Sequence, residues 1–193
     1  MKKRLNKYSY KSTVKAVFCS LCILSFYSCE YFTNNKQESI QLIVDSKQQD
    51  ETFKELMSIT NNSISAAMRK DSLAFLILPV QASCPACRNK TIDSITKYEN
   101  HLAEGHFIII SANGGYKTIS GYFQENDKVL PRIEDKLFLD SINLAHKYKL
   151  YDKKPTIYYT YNQKAYKMVA AIPSTVRIDL QEFFSGFRDN AKK

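Results

Sequence analysis

The sequence predicts an α/β fold, a central mixed sheet flanked by helices, with an N-terminal signal segment ahead of the folded domain. Three observations carry this prediction. Leu73 to Val80 (LAFLILPV) and Phe107 to Ser111 (FIIIS) are nearly continuous apolar runs of strand length, the pattern of strands buried on both faces. Between them, Ser83-Cys84-Pro85 places a proline at a first helical position, and a helix follows to about Leu102. Further on, Thr156 to Tyr161 (TIYYTY) and Ala165 to Ala171 flank the polar Asn162-Gln163-Lys164, which predicts a β-hairpin.

The remaining elements follow in order. Ser39 to Val44 (SIQLIV) reads as a short strand. From about Gln48 to Arg69, Phe53, Leu56, Met57, Ile64, Ala67 and Met68 recur at helical spacing, with Asn61 and Asn62 placed to break or bend the helix. Pro79 cannot donate to a ladder, so regular pairing of the first buried strand should stop near Leu78. That strand, the helix after it and the FIIIS strand make a βαβ unit, expected parallel. Lys117–Glu125 is predicted helical, Val129 to Leu139 an extended or irregular insertion around Pro131, and Ser141 to Leu150 a helix. A last amphipathic helix covers about Arg177 to Asn190, with Leu180, Phe183, Phe184 and Phe187 as its apolar stripe.

Charge and targeting come next. The 193 residues leave room for one ordinary domain and a targeting segment. The net charge of +9 is concentrated at the start, where Lys2, Lys3, Arg4, Lys7, Lys11 and Lys15 stand with no acid up to Ser28. Taking those six from the 28 basic residues leaves 22 against 19 acidic ones, so the excess is an address label and not a phosphate-binding face. Nucleic acid is not an expected partner. The uncharged stretch Ala16 to Tyr27 (AVFCSLCILSFY), followed by small Ser28, has the layout of a secretory signal and is short for a spanning helix. Cys29 after that small residue resembles a lipobox cysteine, which is diacylated on sulfur and becomes the new N-terminus. The reading is therefore a signal peptide over 1–28, a polar tether over 29–38 and a folded domain over 39–193. It places the domain in the cell envelope, lipid-anchored through Cys29 and facing the periplasm or the cell surface. The other reading is an uncleaved signal anchor, with Cys29 an ordinary residue.

Cysteine arithmetic then isolates one pair. If Cys19 and Cys22 leave with the apolar stretch on cleavage and Cys29 carries lipid, only Cys84 and Cys87 are left to the domain. Closing so short a loop would stabilise the fold by only about 2 kcal/mol, so the pair is a poor staple and better explained by chemistry. A thiolate at a helix start is stabilised by unpaired N–H groups and partial positive charge, here reinforced by Arg88 and Lys90. Cys84 would be the exposed nucleophile and Cys87 the buried resolving thiol. Zinc normally takes four ligands, and no second cysteine pair is available, so no metal is expected. His101, His106 and His146 read as surface or structural residues.

Strand, SCPAC, helix, FIIIS strand, insertion, then Lys147-Tyr148-Lys149-Leu150-Tyr151 and Lys154-Pro155-Thr156-Ile157-Tyr158 resemble the thioredoxin superfamily. More specifically, they resemble its membrane-associated TlpA/ResA-like thiol-disulfide oxidoreductases. The resemblance implies a thioredoxin-like domain without a bound cofactor, exchanging disulfides with protein or peptide partners and recharged by an upstream redox donor. It also implies that Pro155 is a cis-proline facing the Cys pair, with the backbone of Lys154 available to pair with a substrate strand. Ser83 stands where the family has Trp, and Leu73–Val80 lacks the buried acid of thioredoxin proper. Those departures favour an alternative, a non-catalytic thioredoxin-fold module that holds a partner in the envelope.

Overall fold

The structure, a computed structural model, describes residues 39–186. The signal segment, Cys29, the tether and Phe187 onward lie outside the described residues.

β2 (Leu73–Pro79) is the centre of the molecule, and every residue in it is buried. Its side chains alternate between two cores, which is why the run is apolar throughout. Ala74, Leu76 and Leu78 face α2 (Pro85–Tyr98), α3 (Gly115–Gln124) and α5 (Val176–Ser185), joining Ile92, Ile95, Phe123 and Phe183. Leu73, Phe75 and Ile77 face α1 (Ser46–Ile59), joining Phe53, Leu56 and Met57.

Six strands form one sheet in the order β1-β6-β5-β2-β3-β4. β2 runs parallel to β3 (His106–Ser111) from Ala74↔His106 to Pro79↔Ser111, completing the predicted βαβ unit. Pairing therefore extends one residue past Leu78, because the parallel ladder needs no N–H from Pro79 in its last position. On the other side β2 is antiparallel to β5 (Thr156–Tyr161), which pairs with β6 (Lys164–Ala170) across a two-residue turn. Asn162 and Gln163 hold positive φ, 47° and 63°, the conformation that matches hairpin twist. β1 (Ile40–Leu42) closes that edge against β6.

Four predicted elements are corrected. The helix expected over Gln48–Arg69 starts at Ser46, where the Asp45 carboxylate accepts from the Gln48 amide at 2.7 Å, and it stops at Ile59. Asn61 and Asn62, at φ 52° and 54°, break it, and only a short 3-10 turn, Met68–Lys70, follows. Part of the expected irregular insertion is β4 (Leu137–Asp140), parallel to β3. The helix expected over Ser141–Leu150 shrinks to one turn, α4 (Leu144–Lys147), bracketed by Asn143 and Lys149 at positive φ. α2 ends at Tyr98, short of Leu102. Among the described residues no helix is long and apolar enough to cross a membrane.

The parallel strands β2, β3 and β4 all finish at one end of the sheet, where β5 begins. The loops that follow or precede them meet there, and Cys84 stands among them.

Candidate active site

Chain direction places the first thiol. After Pro79 the backbone turns, with the Ser83 amide donating to the Pro79 carbonyl at 2.9 Å and the Val80 amide to Ser111 at 3.2 Å. Cys84 takes the N-cap position of α2 in extended geometry (φ −56°, ψ 140°), and Pro85 occupies N1, where its missing N–H costs nothing. The Cys84 sulfur accepts from the Cys87 amide at 3.3 Å, in the role a capping oxygen usually plays. The Arg88 amide donates to the Cys84 carbonyl at 2.9 Å, and the Thr91 hydroxyl to the Cys87 carbonyl at 2.8 Å, fixing the first turns.

The two thiols differ sharply. Cys84 is half-buried and Cys87 fully buried, with the sulfurs unlinked. A hydrogen bond from the Cys87 thiol holds the Cys84 thiol below its ordinary value. The amides of Cys87 and Ala86 and the charge of Arg88 act in the same sense, against partial desolvation. Cys87 is pushed up to about 12, first by burial, then by its hydrogen bond and repulsion with the Cys84 sulfur; Lys90 and Lys154 pull weakly the other way. The pair thus joins a half-buried thiol whose value is lowered to a buried thiol whose value is raised, the kind of asymmetry that disulfide exchange can use.

Of the other predicted site residues, Lys154 is brought to the pair, close enough for its charge to act on Cys87. Its carbonyl accepts from the Thr156 hydroxyl at 3.1 Å. Pro155 is buried at the start of β5, and its carbonyl accepts from the Ala171 amide at 2.8 Å. The expected cis bond is absent: no cis peptide occurs among the described residues, so Lys154–Pro155 is trans. The reversal before β5 is made at Lys153, with φ 49°, and the chain enters the strand in the lower-energy trans form.

Sequence reasoning missed a polar cluster at the same end of the sheet. The buried Asp140 carboxylate accepts from the Ser111 hydroxyl at 2.7 Å and from the Leu144 and Ala145 amides at 2.7 and 2.8 Å. The Tyr151 hydroxyl donates to the Asn143 side chain at 2.9 Å. Nearer the thiols, the Gln81 side chain accepts from the Asn113 amide at 2.7 Å, tying the loop before Cys84 to the loop after β3. Ser83, in the position before Cys84, is buried with no partner for its hydroxyl. Its only signal in the sequence was its place in SCPAC. His101 and His146 are exposed, whereas His106 is buried, its Nδ1 donating to the Phe183 carbonyl at 2.6 Å. No group of three or more His, Cys, Asp or Glu is placed to hold a metal among the described residues.

No protein-family model matches the chain, and no curated protein matches it. Solved structures similar to it include the following two. One is a secreted Mycobacterium tuberculosis disulfide oxidoreductase homologous to E. coli DsbE, at 10% identity and TM-score 0.38, covering 60% of this chain and 84% of that one. The other is a DsbF homologue from Corynebacterium diphtheriae, at 11% identity and TM-score 0.35, covering 60% and 73%. The strand order itself gives the fold: a β2–α2–β3 unit, an antiparallel β5–β6 hairpin beside β2 and a final α5 give the described domain a thioredoxin-like fold, with Cys84 and Cys87 where β2 leads into α2.

Proposed function

We propose that this protein is a thiol-disulfide oxidoreductase of the cell envelope that works through Cys84 and Cys87 on protein or peptide partners. One observation carries the reading: the Cys84 sulfur caps α2 and accepts the Cys87 amide, while Cys87 is buried behind it. In the reducing direction the Cys84 thiolate attacks one sulfur of a partner disulfide, forming a mixed disulfide and releasing one partner thiolate. Cys87, on losing its proton, attacks the Cys84 sulfur. The Cys84–Cys87 disulfide forms, the second partner thiolate leaves, and two electrons have passed to the partner. The reverse sequence oxidises a partner dithiol. An upstream thiol donor restores the pair after each reducing turnover.

We assign Pro155, just ahead of β5, and the backbone of Lys154, whose charge reaches Cys87, to partner binding. The export layout of residues 1–28 and the position of Cys29 support a domain held by lipid outside the cytoplasm.

A second reading, a partner-binding module without turnover, is favoured by the charges acting on Cys87. Apart from the Cys84 sulfur itself, those are Lys90 and Lys154, both cations, neither suited to take the proton that resolution must release. One experiment separates the two. The full chain carrying Cys87→Ala, incubated with an oxidised peptide at pH 7, should accumulate a mixed disulfide on Cys84, visible by mass and by non-reducing electrophoresis. A Cys84 that reacts no faster than a free cysteine peptide would defeat the enzyme reading.

A further inference from the structure

Arg88 follows Cys87 in α2, one helical turn beyond Cys84, and it is held on three sides. Its side chain is only 14% exposed. One guanidinium nitrogen, Nη1, donates to the Val80 carbonyl at 3.3 Å, in the loop that leads from β2 to Cys84. The guanidinium carbon lies 4.5 Å from the centre of the Tyr122 ring on α3. Nη2 lies 4.0 Å from the Glu125 carboxylate, just past the end of α3. A planar fork can meet a carbonyl, a ring face and a carboxylate at once, which an ammonium cannot. The cation closest in sequence to the reactive sulfur is therefore tethered, and its tether ends on an anion that is 63% exposed.

We propose that Arg88 is a positioning residue for Cys84, and that Glu125 governs, through Arg88, how much positive charge faces the Cys84 sulfur. This rests on the reading of Cys84 as the attacking thiol. The hydrogen bond from Cys87 does most to lower the Cys84 value, and Arg88 adds to it in the same sense. The Arg88 backbone amide holds the Cys84 carbonyl at 2.9 Å, and its Nη1 holds the Val80 carbonyl in the loop before it. Glu125 holds the guanidinium toward α3 and partly neutralises it, so the carboxylate restrains the nucleophile without touching it. The other charges around the turn are accounted for: Lys90 and Lys154 act on Cys87, and Lys128 pairs with Asp93 at 3.9 Å further along α2. Because Glu125 is exposed, its restraint is open to salt and to a partner's own charges. A cationic partner group docking on Glu125 would release Arg88 toward the sulfur at the moment of attack.

The test is the Cys84 titration in the reduced full chain, followed by thiolate absorbance and by alkylation rate. Arg88→Gln should raise the Cys84 midpoint by about half a unit, and alkylation at pH 6 should slow roughly threefold. Glu125→Gln should lower the midpoint by roughly 0.2 unit, and 1 M salt should erase that difference. In the Arg88→Gln background, Glu125→Gln should change nothing. Arg88→Lys, which keeps the charge and loses the fork, should recover less than half of the Arg88→Gln shift. An unmoved midpoint in Arg88→Gln would overturn the proposal, as would a Glu125→Gln effect of equal size with or without Arg88. If Arg88→Gln fails to fold, Glu125→Gln at its exposed position and Arg88→Lys still decide the matter. A wild-type Cys84 that titrates as an ordinary thiol defeats the redox reading itself; a low wild-type midpoint indifferent to these variants defeats only the role of Arg88 and Glu125.

Discussion

The Cys87 amide points at the Cys84 sulfur across 3.3 Å, so the residue that would resolve a mixed disulfide also helps to prepare the sulfur that forms it. The two thiols then bend the stability of the reduced protein in opposite senses. Cys84 titrates lower folded than unfolded, so its contribution is complete above the unfolded value of 9.0 and is lost as pH falls through the folded one. Cys87 titrates higher folded than unfolded, so its contribution is present below 9.0 and is lost as pH climbs toward about 12. In native reduced protein, iodoacetamide should label Cys84 with a midpoint below the ordinary thiol value and leave Cys87 unlabelled through pH 9. Peptide mapping at successive pH values checks both; labelling of Cys87 alongside Cys84 would contradict the asymmetry.

Asp140 is the anchor of the polar cluster beside the site, and it is 4% exposed with three donors on its carboxylate. Replacing it with alanine leaves the Leu144 and Ala145 amides without an acceptor and removes the cap of α4. Asp140→Ala should cost roughly 2–4 kcal/mol, and Asp140→Asn, which keeps one acceptor oxygen, about 1–2 kcal/mol. Urea unfolding at pH 7 measures the difference. A midpoint unchanged in Asp140→Ala would mean that α4 is capped some other way.

His106 gives the fold an acid limit. Burial lowers its value below 6.5, a shift that Lys136 assists and the Phe183 carbonyl opposes. The unfolded chain therefore takes up a proton that the folded chain refuses, and stability falls as pH drops from about 6.5 toward the folded value, by up to ~1.4 kcal/mol per pH unit. His106→Gln should be less stable at pH 7.5 and should lose stability less steeply between pH 6.5 and 5.5. Denaturant midpoints at three pH values read the slope directly. An unchanged slope would place the acid sensitivity elsewhere.

What could be read before the structure was whatever the chain states locally. The apolar runs of β2 and β3, the proline at N1 of α2 and the short link of the hairpin are each written within a dozen residues, and each stands where expected. β4 was obscured because Leu137, Phe138 and Leu139 are only partly buried, lie beyond Pro131 and gain their strand character from pairing with β3. α4 looked longer because Leu144, Ala145, Tyr148 and Leu150 have helical spacing, whereas Lys149 at φ 57° ends the helix before Leu150. At the candidate site, Cys84 and Cys87 are legible as a C-x-x-C between a buried strand and a helix start. The Ser111–Asp140 contact joins residues 29 apart, and the Arg88–Glu125 pair joins two helices, so neither leaves a mark in any local window. The trans bond before Pro155 is a lesson of the same kind: the left-handed Lys153 does the turning, and nothing in the sequence assigns it that task.

The shared end of β2, β3 and β4, with the start of β5 beside it, has a last consequence for how this molecule can change over generations. On the proposed function the sulfur chemistry would rest on one strand end and one helical turn, while an incoming chain would meet four separate loops, near residues 81–84, 112–115, 141–143 and 152–155. Loops tolerate replacement far better than the strands that carry them. Choice of partner and competence for chemistry would then sit on separable stretches of the chain, and the first could drift while the second is held still.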